Sequence, residues 1–570
     1  MKKLISLLLA LVMALSLTTV FAEDAADWTK VQYAAAADIR TELAGDYTGK
    51  TVILHSNDVH GQIDGYAWIA GLKKCFEGLG ARVILVDAGD FSQGTIYVSS
   101  TKGLAAVEMM KKAGYDVVTL GNHEFDFGYA KLMDNLTKAE FTTICADVTL
   151  DETGEKILPP TAVLEYHAED EANNIKIGFF GMETPETATK VNPGLVNMIT
   201  FDAFDKMYES AQAAVNDLKA QEVDLTIGLT HLGVDAESKA NGYRTLDLLE
   251  KVEGIDFLLD GHSHTVMTAG PEGEPIQSTG TKFEYIGVLV INDAAKTIED
   301  HFLVPTYLGS KLYKAAYVDE DVLAAANEII AKVDADYNTA FASTDVVLNG
   351  ERDPGNRTEE TNLGDLITDA MVWSVVKEGG IEQVEPNAVV GITNGGGIRA
   401  TINVGEITKK NINTVLPFGN TVAVVYVTGA ELLEALEAST FCTPKAIGGY
   451  PQTSGITWTL DTTKAYDQGD VYMLDGKETT YYAPKSINRV TITAVNGEPF
   501  DENATYAVVT NNFITAGGDP YNVFGTKTEK FDTGIPMDEA VMAYVEEVLQ
   551  GVVTEEAYGQ PKGRESQIRE

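Results

Sequence analysis

Five short apolar runs in the first half of the chain each lead into side chains that bind metal ions well. Residues 51–55 lead into Ser56-Asn57-Asp58-Val59-His60-Gly61, residues 83–86 into Asp87-Ala88-Gly89-Asp90, and residues 117–120 into Gly121-Asn122-His123-Glu124-Phe125-Asp126. Residues 225–229 are followed by Thr230-His231, and residues 255–259 by Asp260-Gly261-His262-Ser263-His264. The chain has only eight histidines, and five of them (His60, His123, His231, His262 and His264) fall in these clusters. A lone histidine is most simply a hydrogen-bonded residue, the reading given to His55, His167 and His301; five together at strand ends are not. Imidazoles mixed with carboxylates suit first-row divalent metals, whereas oxygen-only sets suit magnesium or calcium. The donors outnumber what one tetrahedral ion accepts, and an aspartate can bridge two. Two ions ~3.5–4 Å apart polarise a phosphoryl oxygen and acidify a water between them. The pattern favours metal-assisted hydrolysis of a phosphate ester.

The elements that must position these groups are legible too. The runs at 51–55, 83–86, 117–120, 142–145, 175–180, 225–229 and 255–259 are short, rich in Val, Ile, Leu and Phe, and bounded by polar or glycine residues, as strands are. Amphipathic stretches such as 103–113 and 204–220 lie between several of them, the alternation of an α/β sheet covered by helices. In such sheets ligands bind beyond the carboxyl ends of the strands, where the polar clusters sit. Residues 319–336 read as a connecting helix, because Asp319-Glu320-Asp321 puts acids at its positive end. A second α/β region starts near Ser343 and runs to about Leu549, and the residues after Gly551 read as frayed.

Composition narrows the options. A chain of 570 residues with 44% hydrophobic and 22% charged residues has enough apolar surface for two or more cores and is not intrinsically disordered. With 42 Lys+Arg against 85 Asp+Glu the net charge is −43, which repels nucleic acid polymers and anionic membranes. An anionic substrate therefore needs a local positive device. Residues 1–22 pattern as a secretory signal: Lys2 and Lys3, an apolar stretch, then Val20-Phe21-Ala22 at the cleavage point. No later segment is apolar over the ~18 or more residues of a membrane span. The expectation is an exported protein, secreted, periplasmic or at the cell surface. Cys75, Cys145 and Cys442 are too few for a disulfide scaffold and read as small core residues, with a Cys75–Cys145 bridge as the alternative.

Asp58-Val59-His60, Gly89-Asp90, Gly121-Asn122-His123-Glu124 and Gly261-His262-Ser263-His264 resemble the signature of the calcineurin-like metallophosphoesterases. With the second half included, the chain is similar over roughly residues 50–550 to the secreted 5′-nucleotidase family, which includes periplasmic UDP-sugar hydrolases. The resemblance implies a two-domain α/β protein. A signal peptide (1–22) would precede a metallophosphoesterase domain (48–318) built as a β-sandwich flanked by helices. A linker helix (319–342) and an α/β nucleotide-binding C-terminal domain (343–550) would follow. It also implies two divalent cations, zinc, manganese or cobalt. Asp58, His60, Asp90 and His264 would hold one, and Asp90, Asn122, His231 and His262 the other, with Asp90 bridging. His123 matches the catalytic histidine and Asp126 the carboxylate that pairs with it. Several well-known 5′-nucleotidases carry Gln or Asn where this chain has His264, although histidine there is common among other metallophosphoesterases.

The C-terminal half supplies four further stretches, at 357–365, 394–399, 417–420 and 512–519, which resemble the nucleotide-binding domain of the same family. By that resemblance Phe418 and Phe513 sandwich a base, Asp519 accepts hydrogen bonds from ribose hydroxyls, Arg357 and Arg399 contact phosphate or nucleoside, and Asn394 and Asn420 meet the base edge. Taken alone, the two phenylalanines fit a core equally, and the glycines of Asn394-Gly395-Gly396-Gly397 and Gly517-Gly518-Asp519 fit tight turns that need φ > 0. The implied activity is 5′-nucleotidase. Hydrolysis of UDP-sugars, or of 2′,3′-cyclic nucleotides and 3′-nucleotides, is the near alternative. A non-catalytic nucleotide-binding surface protein is the remote one.

Overall fold

The computed structural model describes residues 38–308, 311–312, 317–377, 381, 383–474 and 476–569. The leader expected at 1–22 lies outside the described residues. Two six-stranded sheets form the N-terminal half. In one, Lys50–Ser56, Arg82–Asp87, Val117–Thr119 and Thr142–Ile144 run parallel, and Tyr285–Asn292 and Thr297–Pro305 add two antiparallel strands at one edge. In the other, the strand order is Val266–Met267, Ile276–Thr279, Phe257–Asp260, Leu225–His231, Ile175–Glu183 and Thr161–Tyr166.

Alternation along each strand makes the sandwich. Successive side chains point to opposite faces, so Ile53 enters the core between the sheets while Val52 and Leu54 face outward. Ile84, Val117 and Ile144 meet Ile177, Phe179, Ile227 and Leu259 in that central layer. On one outer face Val52, Leu54 and Leu85 are covered by helices Gly65–Gly78 and Leu104–Ala113. On the other, Phe180, Met182 and Leu258 are covered by Asp205–Ala220. Strands buried on both faces must be apolar throughout, which is why they stood out as runs.

The connecting helix spans Glu320–Tyr337, and the Asp319 carboxylate caps it by accepting from the amides of Asp321 and Val322. It is docked rather than free, since Val322 and Ala326 join the core of the N-terminal half. Near its far end Asp334 accepts from Tyr97 (3.0 Å) and from Lys410 (2.8 Å), a residue of the C-terminal half.

That C-terminal half centres on a five-stranded sheet, ordered Pro451–Ser454, Val389–Asn394, Thr505–Asn511, Thr421–Thr428 and Lys530–Pro536. Val424 and Val509 face helices Asn362–Lys377 and Met537–Glu547, and Val425 and Val508 face the helix Gly429–Ser439. The described residues after Gly551 do not fray. Thr554 caps a short helix, Glu565–Ile568 pairs in parallel with Ile456–Asp461, and Arg564 bonds Asp365 and Asp369 at 3.0 and 2.6 Å. Those contacts are with residues distant in sequence, so no local periodicity announced them. None of the three cysteines is in a disulfide, so no Cys75–Cys145 bridge forms. Among the described residues no helix is long and apolar enough to cross a membrane.

Candidate active site

Five parallel strand ends open onto one crevice. The ligand atoms of Asp58, His60 and His264 lie within 4.8 Å of one another, as do those of Asp58, Asp90 and His231, and of His60, Asp90 and His123. Asp90 Oδ2 is at the centre, 3.1 Å from His231 Nε2, 3.7 Å from His60 Nε2 and 3.9 Å from His123 Nε2. His262 adds Nδ1, 3.0 Å from Asn122 Oδ1.

The tautomers leave lone pairs aimed inward. His60 Nδ1–H donates to the Gln93 carbonyl, so its Nε2 presents a lone pair 3.0 Å from His264 Nε2. His231 Nδ1–H donates to the Ala88 carbonyl at 2.6 Å, which leaves its buried Nε2, 3.1 Å from Asp90 Oδ2, as the nitrogen that can hold a cation. His262 Nε2–H donates to Glu186 at 3.1 Å, which turns its Nδ1 lone pair onto the Asn122 oxygen. Acceptors facing acceptors in a buried site are unfavourable unless a cation lies among them. A histidine whose second nitrogen is tied to a carboxylate or carbonyl is the usual form of a metal ligand. The donor set therefore fits divalent metal.

Backbone strain marks the same place. Asp58, His60, Asp90, His262, His264 and Asp519 all have positive φ between 44° and 74°. Residues held so cost about 1–3 kcal/mol each unless the surroundings dictate the conformation. Here they do. The Glu124 carboxylate accepts from the amides of Asp90, Phe91, Ser92 and Gly121, clamping two of the loops together. The Asp58 carboxylate accepts from Asn57 Nδ2 and the His262 amide.

His123 Nδ1–H donates to Asp126 Oδ2 at 2.7 Å. Burial works against charge on this imidazole, but Asp126 and Asp90 together raise its pKa above the ordinary value. Removing the Asp126 charge should lower it. In Asp126→Asn the proton on His123 is lost at lower pH, so the alkaline limb of the pH–kcat profile moves toward acid; an unmoved limb in steady-state kinetics would separate Asp126 from the titration.

The opposite wall comes from the C-terminal half. Arg352, Arg357, Asn394, Arg399, Phe418, Asn420, Phe513 and Asp519 share with Asp90, Asn122, His123, Asp126, His262 and His264 one cavity of about 500 Å³. Here is the positive device that the acidic composition called for. Burial, and then Arg352 and Arg399, push the Arg357 guanidinium down to about 9, against the opposing pull of Glu237 and Asp519. Phe418 lies 5.5 Å from the His123 ring and 5.7 Å from the Arg399 guanidinium.

Two expectations change in detail. Asn394 lines the cavity, but its amide donates to Asp519 Oδ2 (2.9 Å) and accepts from Asn511 (3.1 Å), so it faces the carboxylate rather than a free edge. Gly395, Gly396 and Gly397 do not have positive φ; a Cβ on Gly395 would fall 1.8 Å from the Asn356 carbonyl oxygen, so close backbone approach is what requires glycine there. Gly518 likewise makes room for the Phe513 ring, 2.2 Å from where its Cβ would be.

Sequence reasoning missed Glu186, Lys190, Glu237 and Arg352, all at the crevice. The first two follow the strand Ile175–Glu183, and its carboxyl end was as strong a signal as the five that were used. His55, His167 and His301 lie outside the cluster; His55 bonds Gln277 at 2.9 Å, and burial lowers its pKa to about 4.

A paired sheet sandwich with imidazole and carboxylate donors at its strand ends, facing a cationic and aromatic wall, defines a metal-dependent phosphoric ester hydrolase. The calcineurin-like phosphoesterase family model matches residues 51–266, and the 5′-nucleotidase C-terminal domain model matches residues 340–526. The chain belongs to the family that joins these two domains. It is 32% identical to the trifunctional nucleotide phosphoesterase protein YfkN of Bacillus subtilis over 85% of this chain, and spans only 33% of that longer protein. It is 28% identical to the snake venom 5′-nucleotidase of Gloydius brevicauda, over 85% of this chain and 84% of that one. The solved 5′-nucleotidase precursor of Thermus thermophilus superposes with a TM-score of 0.71 at 28% identity, over 91% of this chain and 100% of that one.

Proposed function

We propose that this protein is an exported 5′-nucleotidase that uses two divalent cations, zinc, manganese or cobalt, to release phosphate from nucleoside 5′-monophosphates. The observation that carries the proposal is the single cavity in which the donor cluster and His123 face Phe418, Phe513, Asp519 and the arginines. Asp58, His60, Asp90 and His264 would hold one cation, and Asp90, Asn122, His231 and His262 the other. When bound, the cations supply Lewis acidity toward the phosphoryl oxygens and an acidified water.

The chain's own groups do the rest. Arg357 and Arg399 bind the phosphate and offset its charge, in a cavity where water is largely displaced and such contacts gain strength. His123, kept protonated and oriented by Asp126, donates to a phosphoryl oxygen or to the leaving ribose oxygen. Phe418 and Phe513 stack on the base, Asn420 meets its edge, and Asp519, steadied by Asn394, accepts from the sugar hydroxyls. Residues 48–318 would form the metal-binding domain and 343–550 the nucleoside-binding one, with 319–342 between them. Export rests on the pattern of residues 1–22 and on the relative from snake venom.

Phosphate release from adenosine 5′-monophosphate, with each metal in turn and with chelator, tests the proposal. Release that requires metal is the expected result; no release with any of the three metals refutes it. The trifunctional relative favours a second reading, a broader enzyme that also takes UDP-sugars or 2′,3′-cyclic nucleotides and 3′-nucleotides. The same assay run on those substrates decides between the two.

A further inference from the structure

The segment 186–190 touches both ends of the cavity. Glu186 holds the His262 ring, as described above, and four residues later the chain reaches the nucleoside wall. There the Thr189 carbonyl accepts from the Asp519 amide at 2.7 Å, and Thr189 Oγ1 meets Thr480 Oγ1 at 2.9 Å. Lys190, the last residue of the short helix Thr187–Lys190, extends its ammonium to Glu237 Oε1 (2.5 Å) and toward Asp519 Oδ1 (3.6 Å). Glu237 in turn accepts from the Tyr481 hydroxyl at 2.7 Å and from the Gly448 amide at 3.4 Å. Lys190 and Glu237 belong to the N-terminal half, whereas Asp519, Tyr481 and Gly448 belong to the C-terminal half. The side chains of Lys190, Glu237 and Asp519 are 11%, 5% and 3% exposed, so this bridge is shielded from solvent and from salt.

The arrangement exceeds what a surface tether would need. Asp519 has two carboxylate oxygens; Oδ2 is fixed by Asn394, and Oδ1 is turned toward Lys190. Without the lysine, two buried carboxylates, Glu237 and Asp519, would lose the ammonium that contacts both and keep only the more weakly acting Arg357 guanidinium nearby. Burial pushes the Asp519 carboxyl up to about 6, Lys190 is the chief group that pulls it back, and Lys190 with Asn394 holds it in one rotamer with lone pairs left for a ligand. An ionised, oriented carboxylate accepts hydrogen bonds from vicinal hydroxyls far better than a protonated or mobile one. The cation comes from the other half of the molecule, so the carboxylate is set in this way only when the two halves are face to face.

We infer that Lys190 is a positioning residue that orients the Asp519 carboxylate across the junction of the two halves and thereby makes recognition of the sugar hydroxyls depend on their closure. This rests on the reading of Asp519 as the sugar contact. Selectivity for ribose would then reside in a pair of residues from different domains.

The test compares adenosine 5′-monophosphate with its 2′,3′-dideoxy analogue, which has no hydroxyls to offer Asp519. In Lys190→Met the ratio of kcat/KM for the two substrates should fall at least ~10-fold from the native value, the size of one hydrogen bond to a charged group. Lys190→Arg should restore much of it, and metal content should match the native protein. Lys190→Met/Glu237→Gln removes both charges of the buried pair and keeps the measurement possible if the single variant folds poorly. A preserved ratio in folded variants, with both substrates slowed equally or not at all, overturns the inference. Asp519→Ala, which removes both carboxylate acceptors, separates the sugar contact from the role of Lys190. If it leaves the ratio intact, Asp519 does not contact the sugar and both readings fall; if it collapses the ratio while the Lys190 variants keep it, only the role of Lys190 falls.

Discussion

His123→Ala lowers kcat by ~10²–10⁴-fold while bound metal stays at the native level. The imidazole stands beside the metal donors without being committed to them: its Nδ1–H is taken by Asp126, and its Nε2 points into the cavity 3.9 Å from Asp90. Truncation removes a donor whose charge is sustained by the Asp126 and Asp90 carboxylates. It leaves Asp126 buried without its partner. Burial already raises the pKa of that carboxyl, so it takes up a proton rather than remaining as an isolated charge, and the fold survives. The double variant His123→Ala/Asp126→Asn should be scarcely slower than His123→Ala, because the aspartate acts only through the histidine. Steady-state kinetics with metal analysis on the same preparations checks both statements. Near-native turnover in His123→Ala would remove the histidine from the chemistry.

Asp90→Asn is expected to be still more damaging. Burial opposes charge on Asp90, yet His231, His123 and His60 around it hold its carboxyl well below the usual range, so it enters the site as a full negative charge. Its Oδ2 is shared among three imidazoles and its Oδ1 accepts the His123 amide at 2.9 Å, which makes it the one group common to both proposed cation positions. Asparagine keeps the size, tolerates the positive φ and retains the amide contact, so structure changes little while a bridging charge disappears. Bound metal should fall from two ions per chain to one or none, and kcat/KM by ~10³-fold or more, equivalent to several kcal/mol of charge stabilisation. A second readout needs no turnover. Metal that binds only the folded protein raises its unfolding midpoint, by about 2.7 kcal/mol of stability at a hundredfold excess over Kd. Most of that rise should vanish in Asp90→Asn, and an undiminished rise would mean that the carboxylate does not bridge.

Much of this protein was legible in its sequence because the signals were local. Strands buried on both faces must be apolar, so residues 51–55 and 225–229 announced themselves, and histidines are rare enough here for five at strand ends to stand out. The acid-capped helix after Asp319 was visible for the same reason, since a cap and a dipole act within one turn. What no window of sequence contains is contact between distant segments. Only the tertiary structure decided that Glu124 would clamp two loops, that six site residues would be driven to positive φ, and that Glu186 and Lys190 would serve opposite ends of one cavity. It alone showed that the turn at Gly395–Gly397 needs glycine at Gly395 because two backbones meet there. Residue types set which ions and anions this chain can hold, because hardness, charge and hydrogen-bonding capacity belong to the side chain. The burial, tautomer and orientation that make those groups act together belong to packing, which the sequence encodes only through the whole fold.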